Sequence, residues 1–247
     1  MGKSRGNRLC KQGAYFYWWG QNTMTGANVY GVDAAAFANV GDLSKKPSSV
    51  FGECYSLRWG TNANITKLPT NHLHVRDISQ MFSGLSKLKV ADFTYLQFDL
   101  PNSDYLSASS CFANCAQLVD IIRFPLYNKQ RKNNFIVSGF QMFNGCTSLQ
   151  SITFAKDGLL NVSSELDMSA CSSLLEQSYL NIAYKLDPNS SNKTWYAESS
   201  SATTPSTKHV RMNQTNDGLE YCNAGDTGDL GTLSEYVTSK GWTLSLQ

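Results

Sequence analysis

The sequence predicts an α/β solenoid, and three observations predict it. The first is a motif, aromatic then small residue or thiol then leucine, each three residues apart, that returns at a near-constant step. Phe51-Gly-Glu-Cys54-Tyr-Ser-Leu57 is followed by Phe82-Ser-Gly-Leu85-Ser-Lys-Leu88, Phe112-Ala-Asn-Cys115-Ala-Gln-Leu118 and Phe143-Asn-Gly-Cys146-Thr-Ser-Leu149. A fifth copy, Met168-Ser-Ala-Cys171-Ser-Ser-Leu174, carries Met in place of Phe; the steps are 31, 30, 31 and 25 residues. A step of this size marks stacked units, each burying its apolar face against its neighbours. The second observation is a short alternating pattern after the last leucine. The third is the phase of the cysteines: Cys54, Cys115, Cys146 and Cys171 all occupy one motif position. A disulfide framework links cysteines across loops, so these four read as reduced, small core residues.

Residues 1–48 stand outside the repeat. Lys3, Arg5, Arg8 and Lys11 precede the aromatic run Tyr15-Phe-Tyr17-Trp18-Trp19, and no acid occurs before Asp33. Arg5, Arg8, Lys11, Tyr15, Tyr17, Trp18 and Trp19 are therefore candidate anchoring residues, since Arg and Trp make strong interface contacts. Asp33 is placed to cap a short helix over Ala34–Phe37. Phe37-Ala-Asn-Val40-Gly-Asp-Leu43 copies the motif 14 residues before its first clear copy, as a degenerate capping unit does.

Residues 49–247 form the predicted repeat domain, with a closing cap over about 165–247. The 3-3 spacing of Phe, Cys or Leu, and Leu fits a tight helical or 3₁₀ segment with one inward stripe. Leu149-Gln-Ser-Ile152-Thr-Phe154 and Leu88-Lys-Val-Ala91-Asp-Phe93 then end in period-two alternation, one short strand per unit; Leu118-Val-Asp-Ile121-Ile-Arg-Phe124 follows less cleanly. Stacked, these strands build a parallel sheet on one face. Thr94–Ser110 and Pro125–Gly139, rich in Pro and Asn, are expected on an outer face, the second carrying the basic run Asn128-Lys-Gln-Arg-Lys-Asn-Asn134.

In the cap, Ser173-Leu-Leu-Glu176 has the capping-box pattern, and Leu175, Tyr179, Ile182 and Leu186 form one helical stripe ended by Asp187-Pro188. Residues 188–207, rich in Ser, Thr and Asn, are expected as a long loop in which Trp195 and Tyr196 are candidate ligand-facing aromatics. Lys208–Asn213 reads as a strand. Thr232-Leu-Ser-Glu235 is a second capping box, Lys240-Gly241 a helix stop and Trp242–Leu246 a final strand.

The residues now carry a resemblance. Gln141-Met-Phe-Asn-Gly-Cys-Thr-Ser-Leu149 resembles the unit of BspA-like leucine-rich repeat proteins, with Phe112–Cys115 and Phe82–Gly84 as weaker copies. Leu166–Leu174 and Ser239–Leu244 resemble the closing segments of such arrays in gut Bacteroides-like bacteria and their bacteriophages. The resemblance spans residues 50–247 and implies a binding surface. Departures are Met168 for Phe and Leu85 for Cys.

Composition narrows function. The 247 residues are 41% apolar and 16% charged, with a net charge of +2, which calls for no specific nucleic acid. No apolar run reaches the ~18–20 residues that span a bilayer. The basic start lacks the apolar core of a signal peptide, and this moves the expectation from an exported bacterial adhesin to a virion protein assembled in the host cytoplasm. Catalytic patterns are missing: no Walker A, dinucleotide or nucleophile-elbow motif occurs. His72 and His74 lack a third ligand, Cys111 and Cys115 lack zinc-finger partners, and Cys222–Asp229 is a Gly-rich turn without calcium-loop alternation. The expectation is a non-enzymatic protein with no cofactor and no metal. It would be a head or tail fibre or decoration subunit, N-terminally anchored to other virion proteins and binding a glycan or host receptor. A homo-oligomer is compatible with this reading. The alternatives are a bacterial surface adhesin and an intracellular interaction scaffold.

Overall fold

Three-residue spacing of buried side chains translates into consecutive i→i+3 turns. In the computed structural model, which describes residues 73–75, 78–94, 96–98, 100, 103–190 and 192–247, the second motif copy closes Ile78 O to Met81 N, Phe82 O to Leu85 N and Leu85 O to Leu88 N at 3.0, 3.1 and 3.0 Å. The third and fourth copies repeat this: Cys115 N donates to Phe112 O at 3.0 Å and Cys146 N to Phe143 O at 3.0 Å. Neighbouring copies are joined by backbone bonds at matching positions, Phe82 N to Cys111 O (2.9 Å) and Phe112 N to Met142 O (3.0 Å). The second, third and fourth copies each hold two left-handed residues, one two positions before and one two positions after the Phe. The first is Gln80, Ser110 or Gln141 (φ 55°, 53° and 51°); the second is Gly84, Asn114 or Gly145 (φ 75°, 63° and 75°). Gly and Asn at the second site suit that conformation.

The fold is mixed α/β with several short parallel sheets. In chain order the strands begin β1 Leu73–Val75, β2 Val90–Asp92, β3 Leu96–Phe98, β4 Tyr105–Ser107, β5 Asp120–Phe124, β6 Tyr127–Asn128, β7 Asn133–Asn134, β8 Ile136–Ser138, β9 Ser151–Phe154, β10 Asn161–Val162 and β11 Leu166–Met168. Helix α1 Glu176–Lys185 follows, then β12 Lys193–Ala197, α2 Ser199–Thr207, β13 His209–Met212, β14 Leu219–Cys222, β15 Asp229–Thr232, α3 Leu233–Ser239 and β16 Trp242–Leu246. The strands after the motif pair in parallel in the order β2-β5-β9, aligning Ala91, Ile121 and Ile152, all buried. Two further parallel sheets are β4-β8-β10 and β11-β12-β16, and β1 pairs in parallel with β3. Antiparallel pairing appears in β6–β7 and where β13 lies between β14 and β15.

The core is one apolar cluster running through these layers. Phe82, Phe112 and Phe143 form a stacked column, with ring centroids 5.4 and 5.9 Å apart and interplanar angles of 17° and 8°. Phe93 meets Phe124 edge-on at 5.2 Å, and Phe124 meets Phe154 at 6.4 Å. Such geometries add about 0.5–1.5 kcal/mol per pair beyond burial.

Several expectations are corrected. Thr94–Ser110 and Pro125–Gly139 are not simply outer segments. They contain β4 and β8 and send Leu106, Leu126, Phe135 and Val137 into the core. Ser173 does not cap α1: its hydroxyl donates to Thr147 O (2.8 Å), Leu175 occupies the N-cap without a side-chain bond, and Leu175 is 54% exposed, off the buried stripe of Tyr179, Ile182 and Leu186. Residues 188–207 are not a loop but hold β12 and α2, the latter capped by Glu198, whose side chain accepts from Ser201 N. The second capping box, on Thr232 and Glu235, forms in full.

Candidate binding surface

Register decides which side chains leave the body. In β4-β8-β10, Leu106, Val137 and Val162 align and point inward; the flanking positions therefore point outward. One outward row is Tyr105, Ile136 and Asn161; the next is Ser107, Ser138 and Ser163, of which Ser138 is itself covered and buried. Tyr105 is 47% exposed and Ile136 38%. The Tyr105 hydroxyl reaches the hydroxyls of Ser138 and Ser163, which hold its phenol below the ordinary value. Ser138 is further held by Ser109 (Oγ to Oγ, 2.7 Å). Two residues on, Phe140 is 64% exposed. The six side chains of the two rows carry no charge, and Lys193 Nζ stands at their edge on Ser163 O (3.0 Å).

The repeat-core residues within the described residues are buried: Phe82, Leu85, Leu88, Phe112, Cys115, Leu118, Phe143, Cys146, Leu149, Met168, Cys171 and Leu174. The thiols are more than fillers. Cys115 Sγ donates to Phe82 O at 3.0 Å and Cys146 Sγ to Phe112 O at 3.1 Å, each tying one copy to the copy before it. Burial drives the Cys115 thiol well up and the Cys146 thiol to about 12. Cys111, outside the motif phase, is also buried. Phe51, Cys54 and Leu57, the candidate anchoring residues Arg5, Arg8, Lys11, Tyr15, Tyr17, Trp18 and Trp19, and the helix and unit expected over 33–43 lie outside the described residues.

Trp195 is corrected: it is fully buried, stacks on Tyr179 at 5.7 Å, and faces no ligand. An indole inside a parallel sheet is core, which a Ser- and Thr-rich context concealed. Tyr196, its neighbour, is half-buried in an outward row with Asp167 and Ser245. The basic run folds as the β6–β7 hairpin. Asn128 is buried and donates to Leu100 O (2.9 Å) and Ser103 O (3.0 Å), its Oδ1 accepts from Gln130 N, and Arg131 pairs with Asp104.

At the cap, the Gly-rich turn places Asp229 to accept from Gly225 N (2.8 Å), His209 Nδ1 (2.9 Å) and Gly231 N (2.8 Å), which lowers its carboxyl to about 2. Cys222 faces His209 across β13–β14 and is half-buried. Burial raises its thiol, and Asp229 and Asp226 raise it further. His209 Nδ1 is held by Asp229 on β15, and His209 and Cys222 line one open groove with Lys208, Arg211 and Tyr221. Among the described residues no three His, Cys, Asp or Glu side chains are grouped to hold a metal, and no helix is long and apolar enough to cross a membrane. Comparison with protein-family models, with curated proteins and with solved structures returned no match.

Proposed function

We propose that the chain is a non-enzymatic binding protein built as a short BspA-like leucine-rich repeat solenoid, and that it presents the outward rows of β4-β8-β10 to a host receptor or glycan. The repeated turns, the Phe column and the thiol bonds between successive copies support the solenoid reading. One observation carries the binding role: Tyr105, Ile136 and Asn161 stand in register beside a row of serines, on a face whose row side chains are uncharged, aromatic and hydroxyl-bearing. Outward aromatic area beside fixed hydroxyls suits a neutral polar ligand, because it offers contact area and directional hydrogen bonds without a charge to desolvate.

A glycan array and a host-cell adsorption assay test it. Tyr105→Ala and Ile136→Lys should abolish binding while far-ultraviolet circular dichroism stays unchanged; retained binding in both variants defeats the reading. The setting we propose is a bacteriophage virion, with residues 1–48 as the anchor to other virion proteins. Mass spectrometry of purified particles decides it: presence at stoichiometric level supports this setting, and recovery only from a bacterial envelope places the same surface on a cell.

A further inference from the structure

The strand after each motif reads Leu88-x-x-Ala91-x-Phe93 and Leu149-x-x-Ile152-x-Phe154, but the middle copy, Leu118-x-x-Ile121-x-x-Phe124, is one residue longer. The fold absorbs the extra residue as a bulge. Ile121 still faces Ile152 and Phe124 still faces Phe154, with the register shifting between them. The residue pushed outward is Arg123, held at φ 58° with its N–H on Thr153 Oγ1 at 3.0 Å. Left-handed backbone is strained for a side chain as bulky as arginine. Bulges of this kind re-aim a side chain without disturbing the core on either side.

Arg123 is re-aimed at a groove of 510 Å³, where Lys156 and Lys185 supply two more cations and Phe154 and Tyr184 supply aromatic surface. That volume lies in the ~300–1,000 Å³ range of small-molecule sites. Two acids, Asp157 and Asp217, also line the groove and leave one cation in excess, beside the partly buried Lys185. Its ammonium is already committed to Lys156 O (2.7 Å) and Gly158 O (3.3 Å). Among the described residues neither Arg123 nor Lys156 forms an ion pair, so the groove keeps a surplus of positive charge at those two heads.

We propose that this groove binds a carboxylate-bearing sugar, the carboxylate held by Arg123 and Lys156 and the ring laid against Phe154 and Tyr184. The planar guanidinium matches a carboxylate with two parallel hydrogen bonds, which a second lysine would not do. Aromatic faces accept the apolar side of a pyranose. The site extends the binding-protein reading to a second ligand class and shares no residue with β4-β8-β10.

The test is titration of the full chain with N-acetylneuraminic acid and glucuronic acid, followed by isothermal calorimetry or NMR shifts, with galactose as the neutral control. Arg123→Gly is the informative variant, because glycine adopts φ 58° freely. It should hold or raise the melting temperature by about 2–4 °C while weakening acid-sugar binding on the order of tenfold or more. Lys156→Gln should weaken it less, and Tyr105→Ala should leave it unchanged. Lack of acid-sugar binding at about 10 mM, galactose binding of equal affinity that Arg123→Gly weakens to the same degree, undiminished acid-sugar binding in Arg123→Gly, or its loss in Tyr105→Ala would each overturn the proposal. Loss of sheet-face binding alone would leave it standing.

Discussion

Phe112 is the position at which the packing argument can be tested most sharply. Its ring is fully buried, stacked on Phe82 at 5.4 Å and Phe143 at 5.9 Å, with Phe93 edge-on at 5.9 Å. Phe112→Ala removes this ring from a site walled by backbone that is itself bonded copy to copy, so the cavity cannot collapse. The expected loss is about 3–5 kcal/mol. In a chain of this size that lowers the melting temperature by about 10 °C, at about 2–4 °C per kcal/mol. Phe112→Leu restores most of the volume but none of the ring pairs, and should cost about 1–3 kcal/mol, from three pairs at about 0.5–1.5 kcal/mol each with partial repacking. Urea unfolding followed by circular dichroism gives both numbers from the midpoint at constant slope. A Phe112→Ala loss below about 1 kcal/mol would refute the column as core, and a Phe112→Leu protein as stable as the parent would refute the contribution of the stacked rings.

Three further outcomes follow from single contacts. Gly145 has φ 75°, and a Cβ there would meet Asn114 Oδ1 at 2.9 Å, so Gly145→Ala should destabilise by more than about 1 kcal/mol in the same urea assay. Asp229 is held at about 2, below its ordinary value, so its stabilising contribution is complete above about pH 4 and disappears as pH falls towards 2. Asp229→Ala should therefore be less stable than the parent at pH 6, and the two unfolding curves should converge by about pH 2. Native alkylation at pH 8 mapped by peptide mass spectrometry should label Cys222, which is half-buried, and spare Cys115 and Cys146, whose thiols burial keeps protonated, until denaturant is added.

The sequence alone determined the repeat. A Phe, a thiol and a leucine at three-residue spacing share one inward stripe in tight turns, and the alternation ending in Phe93 and in Phe154 reads as a short strand with one face in the core. The Thr232–Glu235 cap and the strand from Trp242 were legible for the same reason: their signals are local. Tertiary structure decided the rest. Tyr-Leu-Ser and Ile-Val-Ser are too short to announce strands, and they became β4 and β8 because stacked copies hold them in register. Ser173 lost its cap role to a carbonyl of the preceding copy, and Trp195 went inward because Tyr179, a helix away in sequence, offers it a ring. The groove of Arg123 joins a bulge, a turn and a helix end. Its inserted residue was visible in the spacing, but where that residue points depends on pairing across copies, and no window of sequence contains both partners.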